Sequence, residues 1–188
     1  MSHSTATQTR TSTWRLDAAH SSVEFSIKHM MMTTVRGRFK ELQATLTADE
    51  EHPEGCCVEA ELQVASLDTG SPDRDAHLKG PDFFDAERFP TISFRSTRVE
   101  GRARKEGDRF RVTGDLRIRE TTLEVVLECV FEGRGNDPWG KERAGFSATT
   151  EIDRRDWGLR WNQAIETGGV LVANRVKMDM EVQFVKDD

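Results

Sequence analysis

Along most of this chain, apolar and polar residues alternate one by one. Val23, Phe25, Ile27 and His29 share one parity, with Glu24, Ser26 and Lys28 on the other. Val58, Ala60, Leu62 and Val64 alternate with Glu59, Glu61 and Gln63. The same pattern recurs at Phe110, Val112, Gly114, Leu116 and Ile118, at Leu123 through Phe131, and at Phe146, Ala148, Thr150 and Ile152. The longest run carries Val170, Val172, Asn174, Val176, Met178, Met180, Val182 and Phe184 on a single face. Successive side chains of a strand point to opposite sides, so each run predicts a strand with one apolar and one wet face.

Two stretches are less regular. Val35 to Phe39 keeps odd positions apolar, whereas Leu42, Ala44 and Leu46 continue on even ones, which predicts a bulge at Lys40–Glu41. Ile92, Phe94 and Ser96 begin a strand expected to run toward Arg104, with a hairpin turn at Lys105 to Asp108. Ser71-Pro72-Asp73 predicts the start of a helix and Gly80-Pro81 its end about two turns later. About eight long strands with single wet faces indicate antiparallel pairing. Closure into a barrel would remove exposed edges, and eight strands enclose room for packed side chains or one slender ligand. The expected class is therefore all-β, an extended antiparallel barrel with one short helix between strands.

Composition narrows the function. The 188 residues suffice for one domain. With 27 basic and 33 acidic residues the net charge is −6, which argues against a nucleic-acid partner. No run approaches the roughly 20 apolar residues of a membrane helix, so an integral membrane protein is not expected. Residues 1–13 are nearly all polar and are read as a disordered tail ahead of a single domain at 14–188. They lack the apolar stretch of a secretory signal, so the expected location is cytoplasmic. The three cysteines, Cys56, Cys57 and Cys129, fit neither a disulfide framework nor a chelating pattern.

The residues that say most stand in series. Trp14-Arg15-Leu16-Asp17 leads into Ala19-His20-Ser21 and Val23-Glu24-Phe25, followed by Gly37-Arg38-Phe39 and Ser66-Leu67-Asp68-Thr69-Gly70. Arg74-Asp75-Ala76-His77-Leu78 precedes Asp82-Phe83-Phe84-Asp85 and Arg88-Phe89-Pro90-Thr91-Ile92. Asp137-Pro138-Trp139-Gly140, Gly145-Phe146-Ser147 and Arg155-Asp156-Trp157-Gly158-Leu159, then Trp161-Asn162, complete it. This series resembles the YceI-like family of polyisoprenoid-binding proteins from Trp14 to Val185. The resemblance implies a lipocalin-like barrel whose apolar tunnel takes a long isoprenoid. Glu120 departs from the family, which commonly has glycine between the two strands there, and this bears on the turn.

The residues admit three functions. A binder would line its tunnel with inward positions: Val23, Phe25, Ile27, Phe39, Leu62, Phe94, Val112, Leu116, Leu127, Phe146, Val172 and Met178. Phe83 and Phe84 would cap the barrel or line its mouth. Small inward residues, Ala60, Gly114 and Ala148, would leave room. His20, Arg38, Asp156, Trp157 and Asn162 are candidates for a polar rim that holds a head group. An enzyme would need a pair among His20, Asp17, Asp75, Asp85, Asp153 and Asp156, but nothing in the spacing sets two of them opposite each other. A filled barrel would be an interaction module. The binder is the expected reading: no catalysis, no metal, no cofactor beyond the isoprenoid ligand, and a homodimer allowed.

Overall fold

The structure is a computed structural model that describes residues 11–49, 52, 55–166 and 168–187. Its strands are β1 (Thr11–Leu16), β2 (Ser22–His29), β3 (Thr33–Phe39), β4 (Leu42–Asp49), β5 (Cys57–Gln63) and β6 (Leu67–Asp68). After helix α1 (Pro72–Lys79) come β7 (Thr91–Gly101), β8 (Arg109–Ile118), β9 (Thr121–Asn136), β10 (Glu142–Asp153) and β11 (Val172–Lys186). All pairings are antiparallel, and β1 pairs with both β4 and β11, which closes the ring. The all-β barrel with one short helix expected from the alternation is the observed fold. β1 takes in residues 11–13, assigned above to the tail, because Thr11, Ser12 and Thr13 pair with Asp49, Ala48 and Thr47. Residues 1–10 of that tail lie outside the described residues.

Three of the eight long chain segments are bent lines made of two strands. Between β1 and β2 stands a 3₁₀ turn at Ala18–His20, where the Asp17 carboxylate accepts from the Ala19 N–H at 3.1 Å. β11 runs past this bend, pairing with β1 through Phe184 to Lys186 and with β2 through Val172 to Glu181. β3 and β4 break at Lys40–Glu41, where the parity changes. There the Lys40 and Glu41 N–H groups donate to the Ser66 carbonyl and hydroxyl instead of to a ladder. A second 3₁₀ turn, Val64–Ser66, separates β5 from β6.

These bends divide the barrel into two ends. At one end the ladder is complete. At the other, among the described residues, β6 pairs only with β3 and its outer edge has no strand partner. β7 leaves β5 at the Gln63–Thr91 pair. The gap is covered by α1, which packs on β6, and by the loop after it. Asp75 ties the helix down by accepting from the Thr69 N–H at 2.9 Å and hydroxyl at 2.5 Å. The loops at this end are the Met30–Met32 hairpin, the α1 segment, the β8–β9 turn and the long β10–β11 connection.

The turn at Glu120 is made without glycine. Arg119 takes the left-handed conformation, φ 55°, and its guanidinium donates to the Phe83 carbonyl at 3.3 Å. That tertiary bond offsets a conformation that L residues other than Asn and Asp seldom adopt.

Candidate functional site

The inward parity of every strand meets in the barrel's interior, and the interior is not full. At the helix end lies a cavity of about 540 Å³. Phe25, Ile27, Phe39, Leu62, Phe83, Phe84, Val172 and Met178 are in its wall. Below it is a second space of about 190 Å³, whose wall includes Val23, Phe94, Val112, Leu116, Leu127 and Phe146. Leu62, Ile92 and Met178 border both. All fourteen candidate wall residues thus line one or the other of these two adjacent spaces, together called the shaft. The upper space lies within the range of pockets that take small molecules, about 300–1,000 Å³. Several of its apolar wall residues, Phe25, Ile27, Val35, Val176 and Met178 among them, are only half-buried although they point inward, because they face space.

Of the small residues expected to leave room, Ala60 and Ala148 line the lower space, but Gly114 does not. A Cβ on Gly114 would sit 2.5 Å from the Phe94 ring and 2.6 Å from the Arg95 carbonyl. The Phe94 ring already occupies that room, so a larger residue at 114 perturbs the sheet before it touches a ligand.

None of the five residues expected at a polar rim lines either space. His20 is exposed at the outer β1–β2 bend, its Nδ1 2.9 Å from Asp17. Arg38 lies on the outward parity of β3 and faces Asp68 outside. Asp156 is exposed. Trp157 is 4 % exposed within the core, donating from Nε1 to the Leu116 carbonyl at 3.0 Å. Asn162 clips the β10–β11 connection, donating to the Val172 carbonyl at 2.7 Å and accepting from the Val172 N–H at 3.1 Å. Loop position alone did not distinguish these structural bonds from ligand contacts.

The polar groups that do line the upper space are Lys28, His29, Thr33, Asp73, Arg74, His77 and Arg154. Arg154 is the least exposed of them at 4 %. It donates from Nε to the Ala173 carbonyl at 2.9 Å and from Nη1 to the carbonyls of Leu159 and Trp161. Those bonds shape the loop that sets Trp161 edge-on to His77, ring centroids 4.6 Å apart, with Phe83 against both. Burial pulls the Arg154 guanidinium below its ordinary pKa. The sequence carried a signal for two of these groups. Arg154 stands just past the end of β10, where the inward parity of Phe146, Ala148, Thr150 and Ile152 would continue, and His29 follows Val23, Phe25 and Ile27 on β2.

Four of the five candidate carboxylates have partners elsewhere. Asp17 is held below the usual range by bonds from His20 and Arg143, and Asp153 down to about 2 by Arg155. Asp75 holds Thr69, and Asp85 lies 3.4 Å from Arg88. Burial pushes the Cys129 thiol up to about 12, which leaves it an unreactive core group. Among the described residues no group of three or more His, Cys, Asp or Glu side chains is placed to hold a metal.

Comparison with known proteins gives a consistent picture. Residues 14–184 match the model of the YceI-like domain. A UPF0312 protein of Pseudomonas putida (strain W619) is 34% identical over 170 residues, spanning 90% of this chain and 83% of that protein. The crystal structure of Burkholderia cenocepacia BcnA superposes with a TM-score of 0.75 at 23% identity, covering 89% of this chain and 98% of that one. A polyisoprenoid binding domain from Saccharophagus degradans superposes with a TM-score of 0.71 at 12% identity, covering 93% and 98%.

Proposed function

The chain belongs to the YceI-like domain family, and from that premise we propose that its barrel binds a long-chain isoprenoid lipid in the shaft, for sequestration or carriage through water. The observation that carries the reading is the shaft: two adjacent, mainly apolar spaces of about 540 and 190 Å³ that share the wall residues Leu62, Ile92 and Met178. The structural likeness to a polyisoprenoid binding domain supports it. The interior of an eight-stranded barrel has room for about one slender ligand, which suits a branched, apolar chain.

The energetics place affinity in the tail. Burying one methylene is worth about 0.8 kcal/mol, so a five-carbon unit is worth roughly 4 kcal/mol before losses. A few units offset the cost of immobilising the ligand, and longer chains approach the practical ceiling near about −18 to −21 kcal/mol. One neutral hydrogen bond to a head group nets only about 0.5–1.5 kcal/mol.

Titration of prenyl alcohols of graded length tests this. Affinity is expected to climb with each added unit until the shaft is full, then level off. Equal affinity for short and long chains would contradict it.

A further inference from the structure

Among the described residues the lower space has no charged group in its wall, whereas the upper one is collared by charge of mostly one sign. Its charged or titratable groups are Lys28, His29, Asp73, Arg74, His77 and Arg154, so three permanent cations and two histidines meet a single carboxylate. This occurs on a chain whose overall charge is −6. The collar is therefore a local inversion of the protein's charge, placed where an apolar bore opens.

Arg154 is the centre of the collar. Its bonds go to carbonyls, which take hydrogen bonds but carry no full negative charge. No carboxylate lies within ion-pair distance of it among the described residues. The neighbouring Asp153 is engaged by Arg155 at 2.6 Å. The buried Nη2 has no hydrogen-bond partner among the described residues. A buried charge without a counter-charge is costly, and so is a buried donor without an acceptor. A guanidinium offers a planar fork that matches a carboxylate or phosphate. Arg74 and His77 are partly spent on Thr69 and Asp82, whereas Lys28 is exposed and reaches the same wall.

We propose that this collar binds an oxyanion, the phosphate or carboxylate head of a lipid whose apolar chain fills the shaft below. The inference rests on the tail-binding reading above and adds to it the sign of the head group. The tail supplies most of the affinity, and Arg154 with Lys28 supplies selection for an anionic head over a neutral one.

The test compares geranylgeranyl phosphate, geranylgeraniol and inorganic phosphate on the unmodified full chain. The phosphate lipid should bind at least tenfold more tightly than the alcohol, and inorganic phosphate alone should bind weakly. In Arg154→Gln that preference should fall to threefold or less, with Arg154→Lys recovering part of it. Because Arg154 also braces its loop, Lys28→Gln provides the variant on an exposed site. It should weaken the phosphate lipid severalfold and so narrow its preference over the alcohol. Equal binding of alcohol and phosphate lipid by the unmodified chain would overturn the oxyanion site and leave tail binding standing. So would a preference that survives both Lys28→Gln and a folded Arg154→Gln. Tight binding of inorganic phosphate alone would show a free-anion site in place of a lipid head site. Binding of neither lipid would overturn the tail reading itself.

Discussion

The two ends of this barrel are built from the same alternating strands but filled differently. At the end where β1 meets β11, Trp14, Phe131, Ala144 and Phe184 are buried, and Phe146 stacks its edge and face among Phe110, Phe131 and Phe184 at 5.4–6.2 Å. The spaces beside that cluster are small, about 200 Å³ on one side and the lower space of about 190 Å³ on the other. Arg143 ties the end shut, donating to Asp17 at 2.5 Å, to Gln183 at 2.8 Å and to Asp137 at 2.8 Å. At the helix end the inward residues are mostly aliphatic, one ladder is replaced by a helix and loops, and the space is more than twice as large. Large rings that meet across a barrel make a core, whereas branched aliphatic chains of the same parity leave a bore. The difference lies in whether the inward rings meet one another across a complete ladder, because at the helix end a ladder gives way to a helix and loops and Phe25, Phe39, Phe83 and Phe84 stand around a space.

The largest expected effect separates the ends by stability. Trp14→Ala removes a ring that is 2 % exposed and lies under the Arg134 and Lys186 cations. It should cost about 3–5 kcal/mol in denaturant unfolding. Val176→Ala on the open wall only enlarges an existing space, so it should cost about 1 kcal/mol, close to the transfer value alone. Similar losses at both sites would mean that the ends are equally packed.

A smaller effect runs the other way. Ile27→Trp fills the upper space without displacing a packed neighbour. It should weaken long-chain prenyl binding at least tenfold, about 1.4 kcal/mol, while moving the unfolding midpoint little. A large loss of stability would show that the space is not free in solution.

Much of this was legible in the sequence because period-two alternation states which side chains face inward, whatever the bends. The bend at Lys40–Glu41 showed as a change of parity, and Ser71 to Gly80 as start and stop signals around a helix. What alternation does not state is which inward residues touch each other. Gly114 looked like room, yet Phe94, on the neighbouring strand, fills it. The rim was misplaced for a related reason. Trp157 and Asn162 have the chemistry of a binding loop, but their bonds are spent on Leu116 and Val172. Arg154 was in plain view as the next inward position after Ile152, where a charged residue contradicts the apolar pattern.

The smallest expected effect concerns the clamp that shuts the packed end. The Arg143 guanidinium holds Asp137 below its ordinary value near 3.8, and His20 with Arg143 does the same for Asp17. A carboxylate whose pKa is lowered on folding adds stability above its unfolded value, and that stability is lost as pH falls through the lowered one. Unfolding scans from pH 7 to pH 2 should therefore show wild type more stable than Arg143→Gln at neutral pH. The two curves should begin to approach below about pH 4 and meet only at lower pH, once it has fallen through the lowered values and protonation has dismantled the pairs. A gap between wild type and variant that stays constant with pH would mean that the clamp does not act through charge.

The central claim is that the open bore is a lipid site, and the most direct measurement is of what the purified protein carries. Organic extraction of the native protein, followed by mass spectrometry, should recover a prenyl lipid in near-equimolar amount. Ile27→Trp, extracted in parallel, should yield far less. Recovery of no lipid from wild type, together with no uptake of an added long prenyl chain, would contradict the account.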